Sequence, residues 1–314
     1  MQSLIATDDN QIPIGAEAFI LQASDGRRLR GAIFRAQGQA RGTIALFQGH
    51  NEFIEKYFET ISDLLQRGFD VATMDWRCQG ASERELSDPR KGHVDDFSQY
   101  QNDLEVFINQ ALPSCTQPFY ALAHSMGGAV LLEAAYSARP PFQRLVLAAP
   151  MMDLANLRFP NATRWLADTL DMLGLGGQYA PRGNGRSFLE KPFLNNKLTT
   201  DPVRFARNAN IIARAPELVI GDPTIGWVNA AFRQMARFES PDYARRIRTP
   251  CLVVTCGQEQ IVSNNAIEKF VVHLNHSALI HIPGAKHEIL MEQDKFRNQF
   301  WQAFDAFIPG EREQ

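Results

Sequence analysis

Three residues of this chain, Ser125, Glu259 and His287, are of the types that together can split an acyl bond. A serine hydroxyl is a poor nucleophile at neutral pH, so it needs an imidazole to take its proton and a carboxylate to orient that imidazole. The setting of Ser125 singles it out. An apolar, β-prone run, Phe119-Tyr120-Ala121-Leu122-Ala123, leads straight into His124-Ser125-Met126-Gly127-Gly128, and Ala129 to Ala138 carries strong helix formers. Strand, sharp turn and helix in that succession lift the hydroxyl to the end of a sheet and aim the helix's positive N-terminal end at charge developing there. The turn requires small residues two before and two after the serine. Gly127 is one, and Ala123 puts a methyl group where glycine is usual. The five residues alone are equally the pattern of a helix cap, because serine is a favoured N-cap. The partners decide.

Chain order is the test, since α/β hydrolases run nucleophile, acid, histidine, with the acid after a later strand and the histidine after the last. The loop after the last expected strand reads Pro283-Gly284-Ala285-Lys286-His287-Glu288 and puts His287 where the base belongs. His281 lies within a strand, and His273 and His276 precede it. The loop Cys256-Gly257-Gln258-Glu259-Gln260-Ile261-Val262 has Glu259 as its only carboxylate, and Asp153, after the preceding strand, is the reserve acid. The oxyanion of acyl transfer needs two backbone donors. Met126 N–H follows the serine directly, and His50 N–H, beside Gly49, is the expected second.

These residues need a scaffold, and the chain has the composition for one. Its 314 residues, 45% hydrophobic and 10% aromatic, can bury a large core. A net charge of −3 and no cluster of lysine and arginine leave no footprint for nucleic acid. The N-terminus lacks a basic region followed by an apolar run, and no stretch reaches the length of a membrane span, so a cytoplasmic protein is expected. The four cysteines, Cys78, Cys115, Cys251 and Cys256, show no metal-type spacing and read as reduced and structural; no metal or cofactor is expected.

Strands are expected at Glu17–Ala23 and Arg28–Ala36, a hairpin about Ser24-Asp25-Gly26, and then at Thr43–Phe47, Phe69–Met74, Phe119–Ala123, Arg144–Ala149, Pro250–Thr255 and Ala278–Ile282. Helices are expected at Ile54–Arg67, Phe97–Leu112, Ala129–Ala138 and Asp294–Phe307. This alternation signals α/β, a mostly parallel central sheet with helices on both faces. It stops between Met151 and about Arg245, giving a core in two parts, 1–150 and 246–314, around a helical insertion, 151–245. The insertion is broken by glycines and prolines. Its stripe of Trp165, Leu166, Leu170 and Leu173 over Asn161–Leu173, and Trp227, Phe232, Met235 and Phe238 later, read first as core; Trp165, Leu170 and Trp227 are the candidates for a substrate wall.

The chain resembles the lysophospholipase and monoacylglycerol lipase branch of the α/β hydrolases, also grouped as serine aminopeptidase-type hydrolases. The resemblance is carried by His124-Ser125-Met126-Gly127-Gly128, Asp75-Trp76-Arg77 with Gly80 and Ser82, Gly92-His93-Val94, Asn51-Glu52-Phe53-Ile54-Glu55-Lys56-Tyr57 and Lys286-His287-Glu288-Ile289-Leu290. It departs at Ala123, Gln48, Cys78 and Glu259, none of which removes a catalytic group. The resemblance implies a lid over an acyl-chain pocket at 151–245, a single-chain lipid ester as substrate, lysophospholipid before monoacylglycerol, and transient contact with a membrane surface. Other readings share the fold: a peptidase, which would need an acidic group such as Glu190, Glu217 or Glu239 for a substrate ammonium, a serine hydrolase of small esters, and a non-catalytic binding protein. Arg158, Arg164 and Arg207 are the candidate partners for a phosphate head group.

Overall fold

The computed structural model describes residues 3–136 and 141–309. The β-prone segments form one sheet from β1 (Ala16–Gln22), β2 (Arg28–Phe34), β3 (Thr43–Phe47), β4 (Asp70–Met74), β5 (Phe119–His124), β6 (Leu145–Ala148), β7 (Cys251–Cys256) and β8 (Ser277–Ile282). Their order is β1-β2-β4-β3-β5-β6-β7-β8. β1 and β2 make the expected antiparallel hairpin, β2 meets β4 antiparallel, and every pair from β4 to β8 is parallel. Strands β3, β4, β6 and β7 are buried at every position, as parallel strands covered on both faces must be. β5 lies in the middle, so the residue that follows it sits at the centre of the sheet's carboxyl edge.

The covering helices are α1 (Phe58–Gln66), α2 (Ser98–Gln110), α3 (Met126–Tyr136), α8 (Asn264–Val271) and α9 (Asp294–Phe307). The helix expected from Ile54 begins instead as a 3-10 turn, Ile54–Tyr57, which buries Glu55 and Lys56 against charged partners before α1 starts. Residues 137 and 138 of the helix expected to Ala138 lie outside the described residues.

Between β6 and β7 the chain forms α4 (Pro160–Leu170), α5 (Pro202–Arg214), α6 (Ile225–Phe238) and α7 (Pro241–Arg246). The apolar stripe on α4 and the turn after it is not core: Trp165 is 69% and Leu173 70% exposed, Leu166 is also exposed, and Ala167 is the one buried residue of the helix. α4 leans on α6 alone among the helices it contacts substantially, so most of its apolar face finds nothing to pack against. By contrast Trp227, Phe232, Met235 and Phe238 of α6 join the main core. The four thiols are free, and burial pushes that of Cys251 up to about 12. Among the described residues no helix is long and apolar enough to cross a membrane.

Candidate active site

β5 ends at His124 and α3 begins at Met126, so Ser125 alone makes the turn, with φ 49° in the left-handed region that L residues rarely occupy. Neighbouring strands fasten it: Ser125 N–H donates to Ala148 O at 3.0 Å, and Ser125 O accepts from Gly128 N–H and Met151 N–H, each at 3.0 Å. Gly127 cannot be otherwise, because a Cβ there would lie 2.6 Å from Gln48 O and 2.9 Å from Phe47 O. Ala123 sits fully buried in the regular β3–β5–β6 ladder, which accepts its methyl group without a bulge.

His287 Nε2 stands 3.1 Å from Ser125 Oγ, and His287 Nδ1 stands 2.7 Å from Glu259 Oε2. The other oxygen of Glu259 accepts backbone N–H groups from Gln260, Ile261 and Val262 at 2.8, 2.7 and 3.2 Å. Burial raises the Glu259 pKa, but the electrostatic attraction of the His287 imidazole, its hydrogen bond and the loop N–H groups outweigh it and hold the carboxyl below its ordinary value. The carboxylate therefore keeps the proton of His287 on Nδ1 and leaves Nε2 free to accept from the serine. Asp153 is not brought to the histidine; its carboxylate pairs with Arg164 at 3.4 Å.

The loop after β3 comes up beside the turn. Gly49 packs so close that a Cβ on it would be 3.1 Å from Ser125 Cβ. Among the described residues the N–H groups of His50 and Met126 meet no acceptor, which leaves both as donors for a bound oxyanion. The His50 ring packs on Trp227 with centroids 4.1 Å apart, and burial drives its pKa down to about 4, so the ring is neutral. Trp227 also donates from Nε1 to Tyr100 Oη at 3.0 Å. Of the three substrate-wall candidates, then, Trp227 lies against the oxyanion loop, Leu170 is half-buried on α4, and Trp165 is exposed.

The insertion grips both loops that flank Ser125. Asn51 donates to Ser187 Oγ at 3.2 Å and accepts from Ile220 N–H at 3.1 Å. On the other side Lys286 Nζ donates to Asn196 O at 2.7 Å, and Glu288 N–H donates to Leu198 O at 2.8 Å. Arg164 and Arg207 are already matched, the first with Asp153 and Glu239, the second with Glu59, while Arg158 lies over the Phe159 ring. Glu190 pairs with Arg90, and Glu217 is exposed.

Residues of the motifs shared with that family hold the frame. Asp75 and Glu55 bind Arg30 in a fully buried cluster, Arg77 binds Asp103, and Trp76 donates to Gln48 O at 3.0 Å. Cys78, where the family pattern has glycine, has φ 61°. Sequence reading overlooked Glu52, Lys56, His124 and Glu288 as a unit, a second polar group behind the serine, although each lies in one of those quoted motifs.

Known proteins are similar to this chain over most of its length. Lysophospholipase L2 of Escherichia coli K12 is 33% identical over 277 residues, covering 84% of this chain and 79% of that protein. The probable lysophospholipase L2 of Haemophilus influenzae is 28% identical over 279 residues, covering 88% of this chain and 86% of its own. Among solved structures, a monoglyceride lipase from Saccharomyces cerevisiae matches with a TM-score of 0.74 over 93% of this chain and 94% of that one, at 20% identity, a likeness of fold. Residues 38–294 match the family described as serine aminopeptidase, S33, a span that takes in the β3 loop, the Ser125 turn, the insertion and the His287 loop; the chain belongs to that family of hydrolases.

Proposed function

We propose that this protein is a serine ester hydrolase that cleaves single-chain lipids through an acyl-enzyme, with lysophospholipids its first substrates and monoacylglycerols its second. The observation that carries this is the continuous relay from Glu259 through His287 to Ser125 at 2.7 and 3.1 Å, on a strand-to-helix turn with two N–H groups beside it that have no acceptor among the described residues. In this reading Ser125 Oγ attacks the ester carbonyl as its proton passes to His287 Nε2. The carbonyl oxygen, now an oxyanion, is received by the N–H groups of Met126 and His50. The tetrahedral intermediate expels the alcohol, which takes the proton from His287, and a water activated by the same nitrogen then releases the fatty acid.

Residues 151–245 act as a lid, and the acyl chain lies beneath them. The lysophospholipase relatives support the substrate class. So do the apolar side chains that the α4 segment leaves in solvent, among them Trp165, Met172 and Leu173, which suit transient contact with a lipid surface, the inner face of the membrane for a cytoplasmic protein. A peptidase would need a carboxylate available for an ammonium; of the three candidates Glu190 and Glu239 are each engaged by an arginine, and Glu217 lies exposed.

A hydrolysis panel tests the reading. Medium and long monoacyl esters should give higher kcat/KM than acetate esters, because each buried methylene contributes about 0.8 kcal/mol until the pocket ends. A flat or falling dependence on chain length, with aminoacyl amides cleaved well, would replace it with the peptidase.

A further inference from the structure

Behind Ser125 lies a buried polar cluster that acyl transfer, as proposed above, leaves without a role. His124 is 3% exposed. Its Nδ1 stands 3.1 Å from Glu52 Oε2 and its Nε2 stands 3.2 Å from the backbone carbonyl of His287. A carbonyl can only accept, so Nε2 carries hydrogen, and a carboxylate facing Nδ1 asks the same of that nitrogen. Glu52 also accepts from Lys56 Nζ at 2.6 Å, from Tyr57 Oη at 2.8 Å and from Gly49 N–H, while Lys56 Nζ reaches Glu288 Oε1 at 2.6 Å.

Charge balance leads to the same protonation. Glu52 and Glu288 bring two negative charges and Lys56 one positive, all with side chains at most 7% exposed. With a neutral His124 one negative charge would be buried unmatched, a costly arrangement. An imidazolium closes the balance. The groups facing His124 are Glu52, Lys56 and Tyr57 from the segment after β3, His287 and Glu288 from the loop after β8, and the Cys256 thiol of β7, which donates to the same His287 carbonyl at 3.9 Å. Burial opposes the charge on His124, yet the neighbouring Glu52 outweighs it and holds the pKa above the ordinary histidine value.

The cluster touches both moving parts of the proposed reaction. Glu52 holds Gly49 N–H, the peptide next to the His50 donor, and His124 holds the carbonyl of the base itself, with the two imidazole rings 4.7 Å apart. We propose that His124, doubly protonated in the resting protein, is a positioning residue that ties the oxyanion loop, through Glu52, to the base loop, through the His287 carbonyl. It thereby fixes donor and base relative to Ser125. This rests on the reading of Ser125 and His287 given above.

The test is H124Q, E52Q and the double variant, assayed on a nitrophenyl butyrate ester across pH, with 15N NMR of histidine-labelled natural protein. H124Q should lower kcat by about 10- to 100-fold with little change in KM, since a small misplacement of reacting groups is that costly. Its acid limb of kcat/KM should move up by about one pH unit, because a cation near the base has gone and an unmatched carboxylate remains. In the double variant, where the charge balance is restored, that limb should return toward its natural position while kcat stays low. A role in stability alone would lower active protein without moving the limb. The His124 ring, assigned by its through-space contacts to the His287 ring 4.7 Å away, should show both nitrogens protonated at pH 7. A neutral ring at pH 7 overturns the inference, including where H124Q does not fold, and so does an H124Q enzyme with natural kcat and acid limb. Failure of the underlying reading is separate: it would appear as an active S125A enzyme.

Discussion

The choice of Glu259 over Asp153 as the acid can be tested with two conservative amides. In E259Q the side-chain oxygen can keep the three backbone N–H groups that Glu259 Oε1 now accepts at 2.8, 2.7 and 3.2 Å. That places the amide nitrogen, a donor, toward His287 Nδ1, where the carboxylate oxygen now stands at 2.7 Å. Nδ1 must then accept, and the histidine proton moves to Nε2, the nitrogen that should take the serine proton. In a serine protease the same change of tautomer lowers kcat by about 10⁴, equivalent to roughly 5 kcal/mol of barrier. E259D keeps the tautomer but is one methylene short of holding both loop and histidine; losing one charge-assisted hydrogen bond of about 1.5–3 kcal/mol predicts a 10- to 150-fold loss. D153N should stay within about threefold of the natural enzyme, because Asp153 meets Arg164 rather than His287 and is a third exposed, a pair of small energetic weight. Steady-state kcat on a soluble nitrophenyl ester, with circular dichroism to confirm folding, ranks the three. If D153N were slower than E259Q, or E259Q kept more than a tenth of natural kcat, the geometry would have been misread.

Other outcomes follow from the same structure. S125A should lose labelling by a fluorophosphonate, and H287A should lose turnover by several orders of magnitude while still binding lysolipid; a label found on another residue would move the nucleophile. G127A should express poorly, since its methyl group would meet the backbone oxygens of Gln48 and Phe47 at 2.6 and 2.9 Å; a well-folded, active G127A would show that the turn can shift. Glu59 makes the stability depend on acid: burial raises its pKa, but Arg204, Arg297 and Arg207 overcome this and bring it from 4.5 down to about 2. A depressed carboxyl stabilises the fold above its unfolded pKa and loses that contribution as pH falls through the folded value, here about 3 kcal/mol between pH ~4.5 and ~2. Urea unfolding should therefore find E59Q less stable at pH 6 and nearly equal near pH 2, and a gap independent of pH would assign its cause to packing.

What could be read in the sequence was what local chemistry determines. The parallel strands are short apolar runs ending in polar loops, so their succession is legible, and with it the order Ser125, Glu259, His287. Which carboxylate meets His287 was not, because Glu259 and Asp153 both follow strands and only the closing of the sheet at β7 and β8 brings one of them to 2.7 Å. The ion clusters were hidden for a similar reason. Lys56 finds Glu288 across 232 positions, and Arg30 finds Glu55 and Asp75 from another strand, pairings that leave no periodic trace. The apolar stripe on α4 misled in the opposite sense: helical spacing announces an amphipathic face but not whether anything covers it.

That uncovered face bears on which part of the proposed lid can move. α6 gives Trp227, Phe232 and Met235 to the main core, and α5 packs Phe205, Ile211 and Ile212 into a second core with Phe53 and Leu218. At about 1.5–3 kcal/mol for each large apolar side chain, exposing the three from α6 alone would cost roughly 5–9 kcal/mol, comparable to the whole stability of a domain. Neither helix can leave the sheet in each turnover. The stretch from α4 to Leu175 has only Ala167 buried, and beyond it come Gly176 and Gly177, with Gly174 already at φ 78°. A rotation there exposes little buried apolar surface, parting chiefly the polar ties of Arg164 to Asp153 and Glu239 and of Asn229 to Asp171, and uses the residues most tolerant of a changed backbone. If the insertion opens, the motion belongs to α4 and its following turn, with α5, α6 and the two clamped loops staying in place. The side chains carried by that moving piece, Trp165, Leu166, Met172 and Leu173, are then the first that an incoming acyl chain meets.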